Sequence, residues 1–423
     1  MSSSEAVDRL GAGREVAQVD HPDGVATTLH ELTTFDGAKV QGVLHRLDGS
    51  RTVVCIMHPR QSMSHHPMIA WFLRMGLSVW TQGTRSPNND LNLIHEQAIL
   101  DVAAGQVFLR DIGYESVLTF GHSGGGTLFA YYIEQATIEP EFRIDVTPAG
   151  RPIGLSGARM PVPDGAVFLA PHPGQGQVLL GCIDPSVADE HDPLSIRTEL
   201  DMFDAGNGFL PAPHNSTYER EFLAEYRRAQ VRRMERLDAI ARERASEATA
   251  WRVRFAATED PKDRRGALAP RIMTTYRTDA DPRYVDSSID PNDRPYGSLF
   301  GHRPDLTNYG LVGFGRLTTP EAWLSTWSGL SSNAVFERCA AGIYVPTIYV
   351  EFSGDQAAYP RDADRMFGVI PAGDKTRAVV RGQHFGQPIT PGEPTGYEAA
   401  SRVIGSWLSS RFETVTAGTP ALA

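Results

Sequence analysis

Six consecutive residues, Gly121-His122-Ser123-Gly124-Gly125-Gly126, carry the clearest chemical signal in the chain. They read G-x-S-x-G. Before them stand Val117, Leu118, Thr119 and Phe120, which are strand formers. After them, residues 127–133 present the apolar side chains of a helix start. A serine on a sharp strand-to-helix turn is pushed clear of the sheet, and the glycines beside it let the chain turn without side-chain collision. The helix N-terminus adds unpaired N–H groups and a positive dipole end, which suit a developing oxyanion. The chemistry these residue types suit is nucleophilic attack by Ser123 on a carbonyl.

A serine hydroxyl needs a base, and the base needs a carboxylate to fix its tautomer. Both follow later in the chain. Asp355 lies just past an expected strand at 343–350, and His384 lies in the loop after an expected strand at 378–380. The order Ser123, Asp355, His384 is one in which a triad is known to occur. Glu351 is the rival acid, but its place inside a strand keeps it from a loop histidine. The oxyanion needs two N–H donors. Gly124, next to the nucleophile, is one candidate. The loop after residues 52–57 should give the other; Pro59 has no N–H, so Arg60 is expected.

The elements that would position these groups alternate in type. Strands are expected at 29–35 and 40–45, joined by Asp36-Gly37, a hairpin signal. Residues 52–57 form a continuous apolar run, as in a strand buried on both faces. A helix at 67–75, a strand at 77–81, a helix at 93–108, the Ser123 strand and a strand at 166–170 follow. This alternation predicts an α/β chain with a mostly parallel, doubly wound sheet and active residues at strand carboxyl ends. From 174 to 340 the alternation stops. One long helix, 217–250, stands among Pro-, Gly-, Asp- and Asn-rich loops. A final helix is expected at 397–412.

The chain resembles the α/β-hydrolase superfamily over about residues 27–173 and 340–412. Gly121-His122-Ser123-Gly124-Gly125 is similar to its nucleophile elbow. Residues 346–350 with Asp355 and Pro360 resemble its acid-bearing strand and loop, and Gly382-Gln383-His384-Phe385 its histidine loop. His58-Pro59 resembles the His-Gly oxyanion turn, with proline in place of glycine. The resemblance implies a serine hydrolase with a large, mainly helical lid at 174–340. The chain then divides into an arm (1–26), two core parts (27–173 and 341–412), the lid and a tail (413–423). The expected substrate is an ester or lactone of medium size and partly apolar character. His58, His122, Trp323 and Trp327 are the expected substrate-binding residues, the tryptophans because an insertion leaving a strand's carboxyl end should lie over Ser123. C–C bond hydrolysis, acyl transfer and a non-catalytic binding role on the same fold are the alternatives.

Composition narrows the classes. The 423 residues, 41% hydrophobic, suffice for one large domain or two modest ones. The net charge of −11 and the absence of a basic block argue against a nucleic-acid partner. Arginines between 227 and 244 alternate with glutamates, as on a solvated helix face. Three scattered cysteines, Cys55, Cys182 and Cys339, imply no disulfide framework. The polar N-terminus lacks a secretory core and no run reaches membrane-spanning length, so a cytoplasmic protein with no membrane partner is expected. His58, His65 and His66 cluster, but no carboxylate or cysteine completes a metal-ligand spacing. No cofactor is called for. The expected partner is a small-molecule substrate, and a homo-oligomer is compatible with the sequence.

Overall fold

The structure, a computed structural model, describes residues 20–415, so 1–19 of the expected arm and 416–423 of the expected tail lie outside the described residues. Strands β1 (Val25–Thr33) and β2 (Lys39–Leu47) form the antiparallel hairpin. The turn centres on Asp36-Gly37, where Gly37 takes φ +83° and the Thr34 hydroxyl accepts from the Ala38 amide at 2.9 Å. Next come β3 (Thr52–Met57), helix α1 (Met68–Arg74), β4 (Ser78–Gln82), α2 (His95–Asp111), β5 (Ser116–His122), α3 (Gly124–Thr137) and β6 (Gly165–Leu169). After the insertion come β7 (Thr347–Gly354), α7 (Pro360–Gly368), β8 (Lys375–Gln383) and α8 (Gly396–Ser409). The numbers α4 to α6 belong to helices of the insertion.

These strands make one sheet in the order β1-β2-β4-β3-β5-β6-β7-β8. Only β2 runs against the rest. From β3 the chain steps out to β4, then crosses back to pair β5 on the other side of β3. That reversal opens a crevice at the carboxyl ends of β3 and β5, the place where such sheets bind ligands.

The apolar run of β3 is sorted by strand period. Val53, Cys55 and Met57 join the cluster under α2 and α3, whereas Val54 and Ile56 join that under α1 and α8. Strand β7 begins four residues later than expected. Pro346 cannot donate to a ladder, and pairing with β8 starts at Thr347 and reaches Gly354. Glu351 therefore lies well inside the strand.

The insertion contains α4 (Gln175–Cys182), α5 (Arg220–Thr258) and α6 (Pro261–Leu268). It has a hydrophobic cluster of its own, which includes Tyr226, Met234, Leu237, Trp323 and Trp327. The buried stripe of α5 is Tyr226, Ala229, Gln230, Arg233, Met234, Leu237, Asp238 and Ala241, at the three- and four-residue spacing of one helix face. Arg233 corrects the expectation of a solvated arginine face. It is fully buried, pairs with Glu190 at 3.0 and 2.9 Å, and donates to the carbonyls of Asp184 at 2.6 Å and Tyr276 at 2.7 Å. A guanidinium tolerates burial only when its five donors find acceptors, and here the ends of surrounding loops provide them. No helix among the described residues is long and apolar enough to cross a membrane.

Asp238 ties α5 to the later part of the insertion. Its carboxylate accepts from Trp323 Nε1 and Ser328 Oγ, both at 2.8 Å, and from Ser331 Oγ. Asp238→Ala strands these buried donors and is expected to destabilise the protein by about 2–3 kcal/mol. Urea denaturation measures this, and a loss below about 0.5 kcal/mol would show the insertion held by other contacts.

Candidate active site

Strand β5 ends at His122 and α3 begins at Gly124, so the whole reversal falls on Ser123. Ser123 takes φ +57° and ψ −123°, a conformation that side chains other than glycine rarely adopt and that costs about 1–3 kcal/mol. The neighbouring glycines make the turn feasible. A Cβ on Gly121 would lie 2.5 Å from the Gly125 carbonyl oxygen, and one on Gly125 would collide with the Met57 carbonyl of β3. The first turn of α3 is thus pressed against the end of β3.

The loops after β7 and β8 bring the other two groups to Ser123. The Ser123 hydroxyl lies 2.8 Å from His384 Nε2. His384 Nδ1 is 2.9 Å from both oxygens of Asp355. Asp355 Oδ1 also accepts the amides of Ala357 at 2.7 Å and Ala358 at 2.9 Å, which fix the carboxylate. With Nδ1–H donated to the carboxylate, Nε2 carries the lone pair that faces the hydroxyl. His384 and Asp355 are each 1% exposed, whereas Ser123 is half-buried. Glu351 is placed elsewhere: it pairs with Arg377 across the sheet, with Nη2 to Oε2 at 3.1 Å. The insertion buttresses the acid loop, because Asn292 Nδ2 donates to the Asp355 carbonyl and the Asp293 amide to the Ser353 carbonyl, both at 2.8 Å.

His122 corrects the expectation that it faces substrate. It is buried behind the triad, with Nε2 2.8 Å from the His384 carbonyl and Nδ1 3.2 Å from His66 Nε2. His66 Nδ1 accepts the Met68 amide at 3.2 Å, so its proton is on Nε2 and points at His122. His122 then carries its own proton on Nε2 and donates it to the His384 carbonyl. Two neutral imidazoles in series pin the backbone of the histidine loop. Burial pushes the His66 ring from 6.5 down to about 3, which keeps it neutral.

Arg60 also departs from expectation. Its amide points away from Ser123 and donates to His58 Nδ1 at 3.1 Å, and the Gln61 amide donates to the same atom at 3.2 Å. The loop turns back on its own histidine because Pro59 offers that acceptor no N–H. The Arg60 guanidinium grips Asp90 at 2.7 and 2.5 Å and stacks on Trp327 and Phe314, 4.9 and 5.2 Å from their ring centres. Trp323 and Trp327 are fully buried in the insertion's core. Trp327 contacts the Arg60 guanidinium and donates to the Asp90 carbonyl at 3.4 Å.

Residues outside the expected set gather by Gly124: His172 and Gln175, just after β6, lie beside it, and His95, at the start of α2, meets Gln175. His172 Nδ1 accepts the Gly174 amide at 3.0 Å. Burial, with smaller contributions from His384 and Arg60, lowers its pKa to about 3. His95 Nδ1 meets Thr326 Oγ1 at 3.0 Å, and burial lowers its pKa to about 4. A signal for His172 was present in the sequence: a His-Pro pair follows both β3 and β6, at His58-Pro59 and His172-Pro173.

A scan against protein-family models gives no match. A search of curated proteins gives none either. Among solved structures the chain is similar to DcsB in complex with its substrate analogue, at 12% identity over 92% of this chain and 100% of that one, with a TM-score of 0.47. It is similar to the α/β hydrolase GrgF from Penicillium sp. sh18, at 13% identity over 85% and 91%, with a TM-score of 0.42. It is also similar to the Pyrococcus furiosus esterase Pf2001, at 10% identity over 94% and 99%, with a TM-score of 0.44. The strand order, the one reversed strand and the serine turn after β5 decide the architecture. The fold is that of the α/β-hydrolases. Within it, Ser123 follows β5, Asp355 follows β7 and His384 follows β8.

The buried imidazoles yield a prediction. At pH 5, long-range ¹⁵N–¹H spectra should show His66 and His172 as neutral Nε2–H tautomers while exposed histidines are protonated. Their folded pKa values lie below the unfolded value of about 6.5, so each takes up a proton on unfolding. The stability this represents is complete above about pH 6.5 and is lost as pH falls toward about 3. Protonated rings at pH 5 in the folded protein would contradict the assignment.

Proposed function

We propose that the chain is a serine hydrolase that cleaves an ester or lactone of a medium-sized, partly apolar small molecule through an acyl-enzyme. The observation that carries the reading is the run of short contacts from Asp355 through His384 to Ser123, at 2.9 and 2.8 Å. His384 takes the hydroxyl proton as Ser123 attacks the carbonyl carbon. Asp355 holds the imidazole in the required tautomer and stabilises its cation. The Gly124 amide, in the first turn of α3, has no partner within the helix and faces the developing oxyanion. The protonated His384 then gives its proton to the leaving oxygen. Water, activated by the same histidine, releases the acyl group and restores Ser123. The strained turn supports this role, because a serine held at such cost on a turn that packing would not otherwise need is a common mark of a nucleophile.

Labelling by a fluorophosphonate, followed by turnover of a panel of esters, lactones and amides, tests the proposal. Ser123→Ala should abolish labelling and lower kcat at least about a thousandfold with little effect on stability. A variant keeping a tenth of the wild-type rate would remove Ser123 from the role. Asp355→Asn should cost about ten-thousandfold at neutral pH through the wrong His384 tautomer. Glu351→Gln should leave the rate near wild type, and the reverse ranking would give the acid role to Glu351.

A further inference from the structure

The second oxyanion donor is missing from its expected place, since the Arg60 amide is bonded to His58 Nδ1. We propose that the side-chain amide of Gln175 fills that role. This assignment rests on the serine-hydrolase reading given above.

Gln175 is 3% exposed, and its amide meets the His95 ring, while no hydrogen bond of good geometry satisfies either Nε2 or Oε1. A primary amide stripped of water and left unpaired is costly, so a structure that keeps one there has a bond to make at another stage. The amide is aimed at the elbow. A Cβ placed on Gly124 would overlap Gln175 Nε2, and would lie 2.9 Å from His58 Nε2 and 3.1 Å from His172 Nε2. Glycine after the nucleophile is thus what leaves room for the Gln175 amide beside the Gly124 N–H.

The surroundings fix which hydrogens face this point. His58 Nδ1 accepts two amides and His172 Nδ1 accepts one, so both rings carry their protons on Nε2. Thr326 Oγ1 donates to the Leu93 carbonyl at 2.7 Å and so accepts from His95 Nδ1, which leaves a lone pair on His95 Nε2. The Gln175 amide interacts with that ring, so its NH₂ gives one N–H to the His95 lone pair and keeps the other for the space beside Gly124. N–H groups of His172 and Gln175 then converge beside Gly124, with the His58 ring next to them. An oxygen bearing negative charge is the group such a set of donors accommodates.

The position is rigid as well as close. A Cβ on Gly174, which takes φ +129°, would collide with the Ala334 carbonyl, and one on Gly176 would lie 2.5 Å from the Ser328 carbonyl. The chain on either side of Gln175 therefore rests directly on segment 328–334. Thr127 Oγ1 of α3 holds the His172 carbonyl at 2.8 Å. A donor fixed before the reaction stabilises the transition state without reorganisation, which is the requirement of an oxyanion site.

The experiment compares wild type with Gln175→Met and Gln175→Glu. Both keep the side chain's length and remove the N–H donors, and Met adds no unpaired polar atom of its own. Three quantities are measured: kcat and KM on 4-nitrophenyl acetate, the second-order rate of Ser123 phosphonylation by a small fluorophosphonate, and the thermal midpoint. The phosphonyl oxygen occupies the oxyanion position, so its rate follows the same donors. In Gln175→Met, kcat and the phosphonylation rate should each fall about a hundredfold, KM should stay within about twofold, and the midpoint should not drop. Gln175→Glu should lose at least as much, so a folding failure of one variant leaves the other decisive. A rise in KM alone, with kcat and phosphonylation unchanged, would make Gln175 a ground-state binding residue and overturn the proposal. Wild-type protein that phosphonates leave unlabelled would overturn the hydrolase reading and this assignment with it.

Discussion

The close approach of α3 to the end of β3 is the constraint on which the remaining geometry depends. Gly125 lies against the Met57 carbonyl, and no side chain fits between them. This contact brings the Ser123 turn beside the His58 loop, at the point where the sheet's connectivity reverses. It also forces Ser123 to a positive φ, which lifts its hydroxyl out of the sheet toward His384. The local strain of about 1–3 kcal/mol is small beside the burial around it. Phe120, Leu128 and Phe129 flank the elbow without exposure, and each contributes about 1.5–3 kcal/mol through burial. The turn holds because the core on both sides over-determines it.

Burial then sets the protonation chemistry. An imidazole removed from water is neutral, and a neutral imidazole is a donor at one nitrogen and an acceptor at the other. Which nitrogen does which is decided by backbone amides: those of Arg60 and Gln61 at His58, of Met68 at His66 and of Gly174 at His172. Each of these histidines thereby turns a backbone N–H on one side into a directed N–H on the other. In the pair His66 and His122 the outgoing donor reaches the His384 carbonyl and steadies the catalytic loop. The same device at His58 redirects the amide that a serine hydrolase of this fold would be expected to aim at the oxyanion.

The parts legible in the sequence are those encoded locally. The apolar run of β3, the Asp36-Gly37 turn and the serine elbow depend on residues a few positions apart, and periodicity and glycine placement expose them. The order Ser123, Asp355, His384 was legible because each residue follows a strand signal. The misread residues depend on partners far along the chain. Whether Arg233 is solvated depends on Glu190 and on carbonyls near 277, and no helical pattern carries that information. Trp323 and Trp327 read as pocket aromatics until Asp238 and Arg60 are seen to claim them. His122 belongs to a conspicuous motif, yet its direction is set by His66 and by a carbonyl 262 residues later. The glycines on either side of Gln175 serve the contact with segment 328–334, which no local pattern reveals.

That contact changes what the insertion contributes. A flap that merely covers a finished site could be removed without altering the geometry beneath it. Here the insertion supports the site from several sides. Asn292 and Asp293 brace the loop that carries Asp355. Ser325 Oγ receives the His95 amide at 2.9 Å, and Thr326 fixes the His95 ring. Segment 328–334 backs Gln175, and the adjacent rings of Trp327 and Phe314 both contact the arginine of the β3 loop. Burial lowers the pKa of His95 to about 4 and of His172 to about 3, which keeps both rings neutral. Ser123, Asp355 and His384 follow strands of the sheet, but the placement of several polar neighbours comes from the insertion. A displacement of segment 325–334 would loosen His95 and Gln175 together, because Ser325 and Thr326 hold the one and residues 328–334 back the other.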